Sequence, residues 1–170
     1  NDYKEAIIKL ISQKKPNFSN FKYFEFDLKV ILDYDFKINR FNHQSYLGIL
    51  NYKFFKRLKE KNFKIEKIIS WFENQPNDKG FALGTNNFFP ISKFIGFQNF
   101  NVSYDYFHYF SPTRIENKLK LVPNIIYTIS KYNIDKVKQF DNTLDVRKGP
   151  AVRFSHIHKK LHNHMQTQRT

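Results

Sequence analysis

An α/β fold with a parallel sheet is predicted by the chain between residues 65 and 129. Three short apolar runs, 65–72 (IEKIISWF), 92–97 (SKFIGF) and 124–129 (NIIYTI), have the length and the β-branched and aromatic content of strands. Helix-start signals stand between them. Pro76 follows the polar turn at Asn74 and Gln75, and Thr113 with Glu116 forms a capping box, with Pro123 closing that helix. Strand, helix, strand, helix, strand at such short spacing requires parallel strands joined by crossovers, a Rossmann-like sheet flanked by helices.

The remaining elements follow in chain order. From residue 2 to 14, Tyr3, Ile7, Leu10 and Ile11 recur at intervals of three and four, so an amphipathic helix is expected with Asp2 as its N-cap and Pro16 ending it. Phe24, Phe26, Leu28, Val30 and Leu32 alternate with Glu25, Asp27 and Lys29, which predicts a strand with one wet face, the alternation running on to Ile38. After Asn42, Leu47, Leu50, Phe54 and Leu58 return to helical spacing, and Lys53, Lys56, Arg57 and Lys59 lie toward the end that favours cations. Phe81, Leu83 and Phe88 place a short helix after Pro76, in which Gly80 and Gly84 allow close approach of a neighbouring backbone. Residues 145–154 (DVRKGPAVRF) read as a strand with a Gly-Pro break that opens a second α/β unit. The tail from 155 to 170 has no apolar periodicity and is expected to be loosely ordered.

Composition bounds the function. With 41% hydrophobic and 26% charged residues over 170 positions, the chain buries a core and is not wholesale disordered. The absence of cysteine excludes disulfide scaffolds, thiolate zinc sites and cysteine nucleophiles. No apolar stretch approaches the roughly 18 residues of a spanning helix, so the expectation is a cytoplasmic protein, with peripheral membrane contact. The start at Asn1 predicts a piece of something longer. A net charge of +14 attracts polyanions. The lysines are scattered from Lys4 to Lys160 without a block of five or six like charges, which disfavours a nucleic-acid arm. Lys, Asn, Ile, Phe and Tyr are also the residues that an AT-rich coding sequence enriches.

Open parallel sheets bind ligands beyond the carboxyl ends of their strands. Two strands end there in polar residues: Trp71-Phe72-Glu73-Asn74-Gln75 and Gly96-Phe97-Gln98. A carboxylate shielded by Trp71 suits a general base acting on a hydroxyl, which singles out Glu73; capping of the following helix is the other role open to it. Trp71, Tyr104, Tyr106 and Tyr109 are candidates for stacking on a ligand ring, with core packing the alternative for the tyrosines. Asp33-Tyr34-Asp35 has a metal-binding D-x-D pattern that arises readily by chance. His156, His158, His162 and His164 have ligand-like spacing but no carboxylate beyond Phe154, so no metal role is assigned to either. Gly80 and Gly84 lack the spacing of a phosphate loop.

Taken together, residues 71–80 (WFENQPNDKG), 95–100 (IGFQNF), 111–118 (SPTRIENK) with 122–124 (VPN), and 149–154 (GPAVRF) resemble a family of bacterial surface-carbohydrate (O-antigen or capsule) biosynthesis proteins similar to GT-B glycosyltransferases. The resemblance covers about residues 45–154 and lies in the order and spacing of the blocks. It implies that 1–142 form an N-terminal, acceptor-side Rossmann-like domain, that 143–154 begin a truncated C-terminal donor domain, and that 155–170 are the tail. It also implies Glu73, Asn74, Gln75 and Gln98 in the interdomain cleft and Arg153 near the opposite wall. Glu73 would orient or deprotonate a glycan acceptor, the amides would hold sugar hydroxyls, and Arg153 would offset the diphosphate of a nucleotide-sugar donor, with no further cofactor and no metal. Family members are much longer, so this stretch is expected to be inactive alone. The rival expectation is a basic, non-enzymatic module that binds RNA or anionic membrane.

Overall fold

The computed structural model describes residues 2–39, 41–98 and 111–150. In chain order, α1 (Asp2–Ile11), a hairpin of β1 (Lys22–Tyr23) and β2 (Phe26–Asp27), α2 (Lys29–Asn39) and α3 (His43–Glu60) precede the main sheet. That sheet comprises β3 (Lys67–Trp71), β4 (Lys93–Gln98), β5 (Ile125–Thr128) and β6 (Val146–Lys148), connected through α4 (Pro76–Phe88), α5 (Arg114–Lys118) and α6 (Lys131–Val137). The strands run parallel in the order β3-β4-β5-β6, with Ile69 opposite Ile95, Ile95 opposite Ile125, and Ile126 opposite Val146. The chain is thus a Rossmann-like α/β protein, as its pattern of strands and helix starts predicts.

Side chains alternate across a strand. Ile68, Phe72, Phe94, Ile126 and Val146 fall on one face of the sheet, and all five belong to the two buried clusters. Phe55 of α3 and Ala82 of α4 complete one cluster, and Val137 of α6 contributes to the other. The helices that supply these clusters, α3, α4 and α6, therefore pack on a single face, as expected when successive right-handed crossovers are laid down without a reversal of strand order.

The closest approach of two helices is where α3 meets α4. At Gly80 an added Cβ would lie 1.8 Å from the carbonyl oxygen of Gly48, so the expected close approach occurs with backbone against backbone. Asn51 Nδ2 also donates to the Asn77 carbonyl at 3.2 Å. Asn42 caps α3, its Oδ1 accepting the Gln44 N–H at 2.8 Å. Replacing Asn42 with alanine is expected to cost about 1 kcal/mol, measured as a shift in the urea midpoint, whereas Asn42→Ser should retain most of that stability.

Three expectations are corrected. Asp2 lies within α1 and its carboxylate pairs with Arg57, and the helix ends at Ile11, several residues before Pro16. The predicted strand over 24–32 is a two-residue strand followed by helix. Asp27 Oδ1 accepts the Lys29 N–H at 2.8 Å, Leu32 N–H donates to the Leu28 carbonyl, and Leu32 and Phe36, at helical spacing from Leu28 just before the helix, lie on the less exposed side of α2. The segment from 143, expected to open a second unit, contributes β6 to the same sheet beside β5. A helix that the sequence reading did not include, α6, starts at Ser130, whose side chain accepts the Asn133 N–H.

Candidate active site at the carboxyl rim

The carboxyl ends of β3, β4 and β5 carry a row of aromatic residues. Trp71 pairs with Phe97, Phe97 with Tyr127, and Tyr127 with Arg147, so all four project from the sheet face that neither core cluster uses. The rings of Phe97 and Tyr127 stack at 5.3 Å with 20° between their planes. Trp71, at the β3 end of the row, is 49% exposed.

Glu73 stands beside that ring. Trp71 Nε1 donates to Glu73 Oε1 at 2.6 Å, so the carboxylate is turned toward the indole and does not take the capping role that was its alternative. Asp78, three residues into α4, takes the capping role. Its Oδ2 accepts the backbone N–H groups of Glu73 and Gln75 at 2.9 and 3.0 Å. Between them Asn74 sits at φ 59°, a left-handed conformation that asparagine tolerates. Burial raises the Asp78 carboxyl above its usual range, against the pull of those two N–H bonds. The loop bearing Glu73 is thus bound at two points to the start of a 13-residue helix.

A second set of contacts ties this loop to α5. Lys79 Nζ donates to Asn74 Oδ1 and pairs with Glu116 Oε1 at 2.6 Å. Glu116 Oε2 in turn accepts the Thr113 N–H at 2.7 Å and its hydroxyl at 3.1 Å, completing the capping box read from the sequence. Burial pulls the Lys79 ammonium below its usual value despite Glu116. Burial also pushes on Glu116 from the other direction, but hydrogen bonds from Lys79 and Thr113 outweigh it and hold that carboxyl low.

Lys79→Met should therefore cost about 1–2 kcal/mol, because it strands the partly buried Glu116, while Lys79→Met combined with Glu116→Gln, which keeps the capping oxygen without the charge, should recover most of the loss. A carboxyl whose folded-state value is depressed contributes stability that is present above its unfolded value and lost as pH falls through the folded one. In Lys79→Met the bond and charge that hold Glu116 low are gone, so less stability is left to lose on acidification and the deficit of the variant relative to the parent should narrow as pH falls through the acid range. Urea midpoints taken across the acid range test this.

The rim brings together only part of the expected set. Glu73, Asn74 and Gln75 are adjacent, but Asn74 spends its side-chain oxygen on Lys79 and Gln75 is the N-cap of α4. Gln98 is 1% exposed. Phe72 N–H bonds the Phe97 carbonyl at 3.0 Å, extending the strand pairing past Trp71, so Gln98 is level with Phe72 on the core face. Neighbouring parallel strands do carry Glu73 and Gln98, as expected, yet their side chains lie on opposite sides of the sheet. Arg153, the histidine cluster and Tyr104, Tyr106 and Tyr109 lie outside the described residues.

Asp33 pairs with Lys15 and Lys29, and Asp35 accepts the Asn39 amide at 2.7 Å, so the D-x-D carboxylates are engaged separately. Residues missed from sequence are Phe97, Tyr127, Asp78, Lys79 and Glu116. The Pro76 and Asp78 pair in the first turn of α4 was a readable capping signal; the row across the strands depends on register, which no local pattern encodes. No family model, curated protein or solved structure matches this chain. Fold and rim together define a parallel α/β protein with an aromatic and carboxylate-bearing carboxyl edge. No helix among the described residues is long and apolar enough to cross a membrane.

Proposed function

We propose that the intact protein is a GT-B-like glycosyltransferase of surface-polysaccharide assembly, moving a sugar from a nucleotide-activated donor to a glycan hydroxyl. The observation that carries this reading is the Glu73 carboxylate held 2.6 Å from the Trp71 indole at the carboxyl edge of a parallel sheet. A flat indole covers the apolar face of a pyranose ring while a fixed carboxylate accepts from its hydroxyls, and sugar sites need both. Oε1 of Glu73 is occupied by Trp71, which leaves Oε2 to receive the acceptor proton as the hydroxyl oxygen bonds the anomeric carbon and the nucleoside diphosphate departs with the electron pair. In this reading Gln98 supports the strand from beneath and does not touch the sugar. Arg153 keeps its proposed role opposite the donor diphosphate.

Trp71 is the only tryptophan in the chain, so its fluorescence reports the site directly. Titration with short bacterial glycans is expected to give a saturable change in emission, and the intact protein should release nucleotide when supplied with glycan and a panel of nucleotide sugars. Absence of both signals would overturn the assignment.

A further inference from the structure

Among the described residues, more than half of the exposed large apolar side chains fall between Tyr3 and Phe41. Such clustering is unusual for a soluble surface and marks an interaction site. The extreme is the β1–β2 hairpin and the helix after it. Tyr23 is 63%, Phe24 83% and Phe26 72% exposed, followed on α2 by Val30 at 75% and Tyr34 at 66%. No residue of α2 is buried. Phe24 has φ 53°, a left-handed conformation that is unfavourable for a bulky residue, and at this hairpin it turns the ring outward beside Tyr23, with ring centroids 4.7 Å apart.

The charges around this patch select the partner. Its acids are mostly engaged locally: Asp27 caps α2, Asp33 pairs with Lys15 and Lys29, and Asp35 holds Asn39, leaving Glu25 as the exception. Lys14, Lys22 and Lys37 make no ion pair among the described residues, and the whole chain carries +14. Protein interfaces are depleted in lysine, whereas lysine mixed with exposed phenylalanine and tyrosine is the chemistry of a surface that lies in the headgroup region of a bilayer. We propose that the β1–β2 hairpin and α2 dock on an anionic lipid bilayer, with Phe24 and Phe26 entering the boundary between headgroups and acyl chains and the unpaired lysines meeting lipid phosphates. This inference does not depend on the sugar-transfer reading.

The test is sedimentation of the intact protein with vesicles of phosphatidylcholine alone and of phosphatidylcholine mixed with phosphatidylglycerol. Binding is expected to the mixed vesicles, and to weaken as salt rises. Phe24→Ser with Phe26→Ser should lower it by about tenfold or more, without loss of secondary structure by circular dichroism, since both rings are exposed. Lys14→Gln, Lys22→Gln and Lys37→Gln together should remove most of the salt-sensitive part. Equal binding to neutral vesicles, no binding to either, or an unaffected double-serine variant would overturn the proposal. So would self-association of the parent, seen by sedimentation velocity and abolished by the serine pair in place of any vesicle binding, which would assign the patch to a second copy.

Discussion

Gly80→Ala is expected to destabilise the fold by at least about 3 kcal/mol, and to abolish it if the parent is marginal. Two effects oppose each other at this position. Alanine is the better helix former by about 1 kcal/mol, so in an exposed helix the change would stabilise. Here the new Cβ would meet the Gly48 oxygen at 1.8 Å, its carbonyl carbon at 2.3 Å and its Cα at 2.6 Å, all of them backbone atoms of α3 that cannot rotate aside. The two helices must then separate, and the cluster of Phe55, Ala82, Phe89 and Phe94 between them and the sheet opens. Gly84→Ala is the milder comparison, because its nearest contacts, at 3.0 Å, include the Phe55 ring as well as the Tyr52 Cα. Urea denaturation of both variants checks the ranking. A Gly80→Ala protein as stable as the parent would contradict the packing of α3 on α4.

Glu73→Gln is expected to lower kcat for glycosyl transfer by about 10²–10⁴-fold, with KM little changed. The amide keeps the shape of the side chain and an oxygen that accepts from Trp71 Nε1, so the loop and its anchors on Asp78 stay in place. What it loses is the capacity to take a proton from the acceptor. The side chain is only half-buried, so thermal stability should move by no more than about 0.5 kcal/mol. Glu73→Asp, one methylene shorter, should retain part of the activity. Turnover of the glutamine variant equal to that of the parent would remove Glu73 from the chemistry, whereas loss of glycan binding together with loss of turnover would make it a positioning group.

Much of this was readable before any coordinates, and the failures have physical causes. The strands at 67–71, 93–98 and 125–128 were legible because central parallel strands concentrate Ile and Phe in short runs, and α4 and α5 because Pro76 and the Thr113–Glu116 box mark their starts. Over 24–32, by contrast, Phe-Glu-Phe-Asp alternation and the helical spacing of Leu28, Leu32 and Phe36 coexist, and the Asp27 cap decides in favour of helix. Glu73 lies at the carboxyl end of β3, beside Trp71. Gln98, expected in the same cleft, lies on the core face, because a single residue along a strand sends a side chain to the other side of the sheet. The partner of Lys79 is Glu116, far along the chain, and no local pattern could have named it.

The sequential strand order bears on how the molecule assembles. Each strand pairs with the one synthesised just before it, Ile69 with Ile95, Ile95 with Ile125 and Ile126 with Val146, at separations of about 20–30 residues. Loop-closure entropy is therefore met in small steps, with no pairing deferred until distant chain arrives. Such a sheet can grow strand by strand behind the ribosome, each new β-α unit finding a finished edge waiting for it.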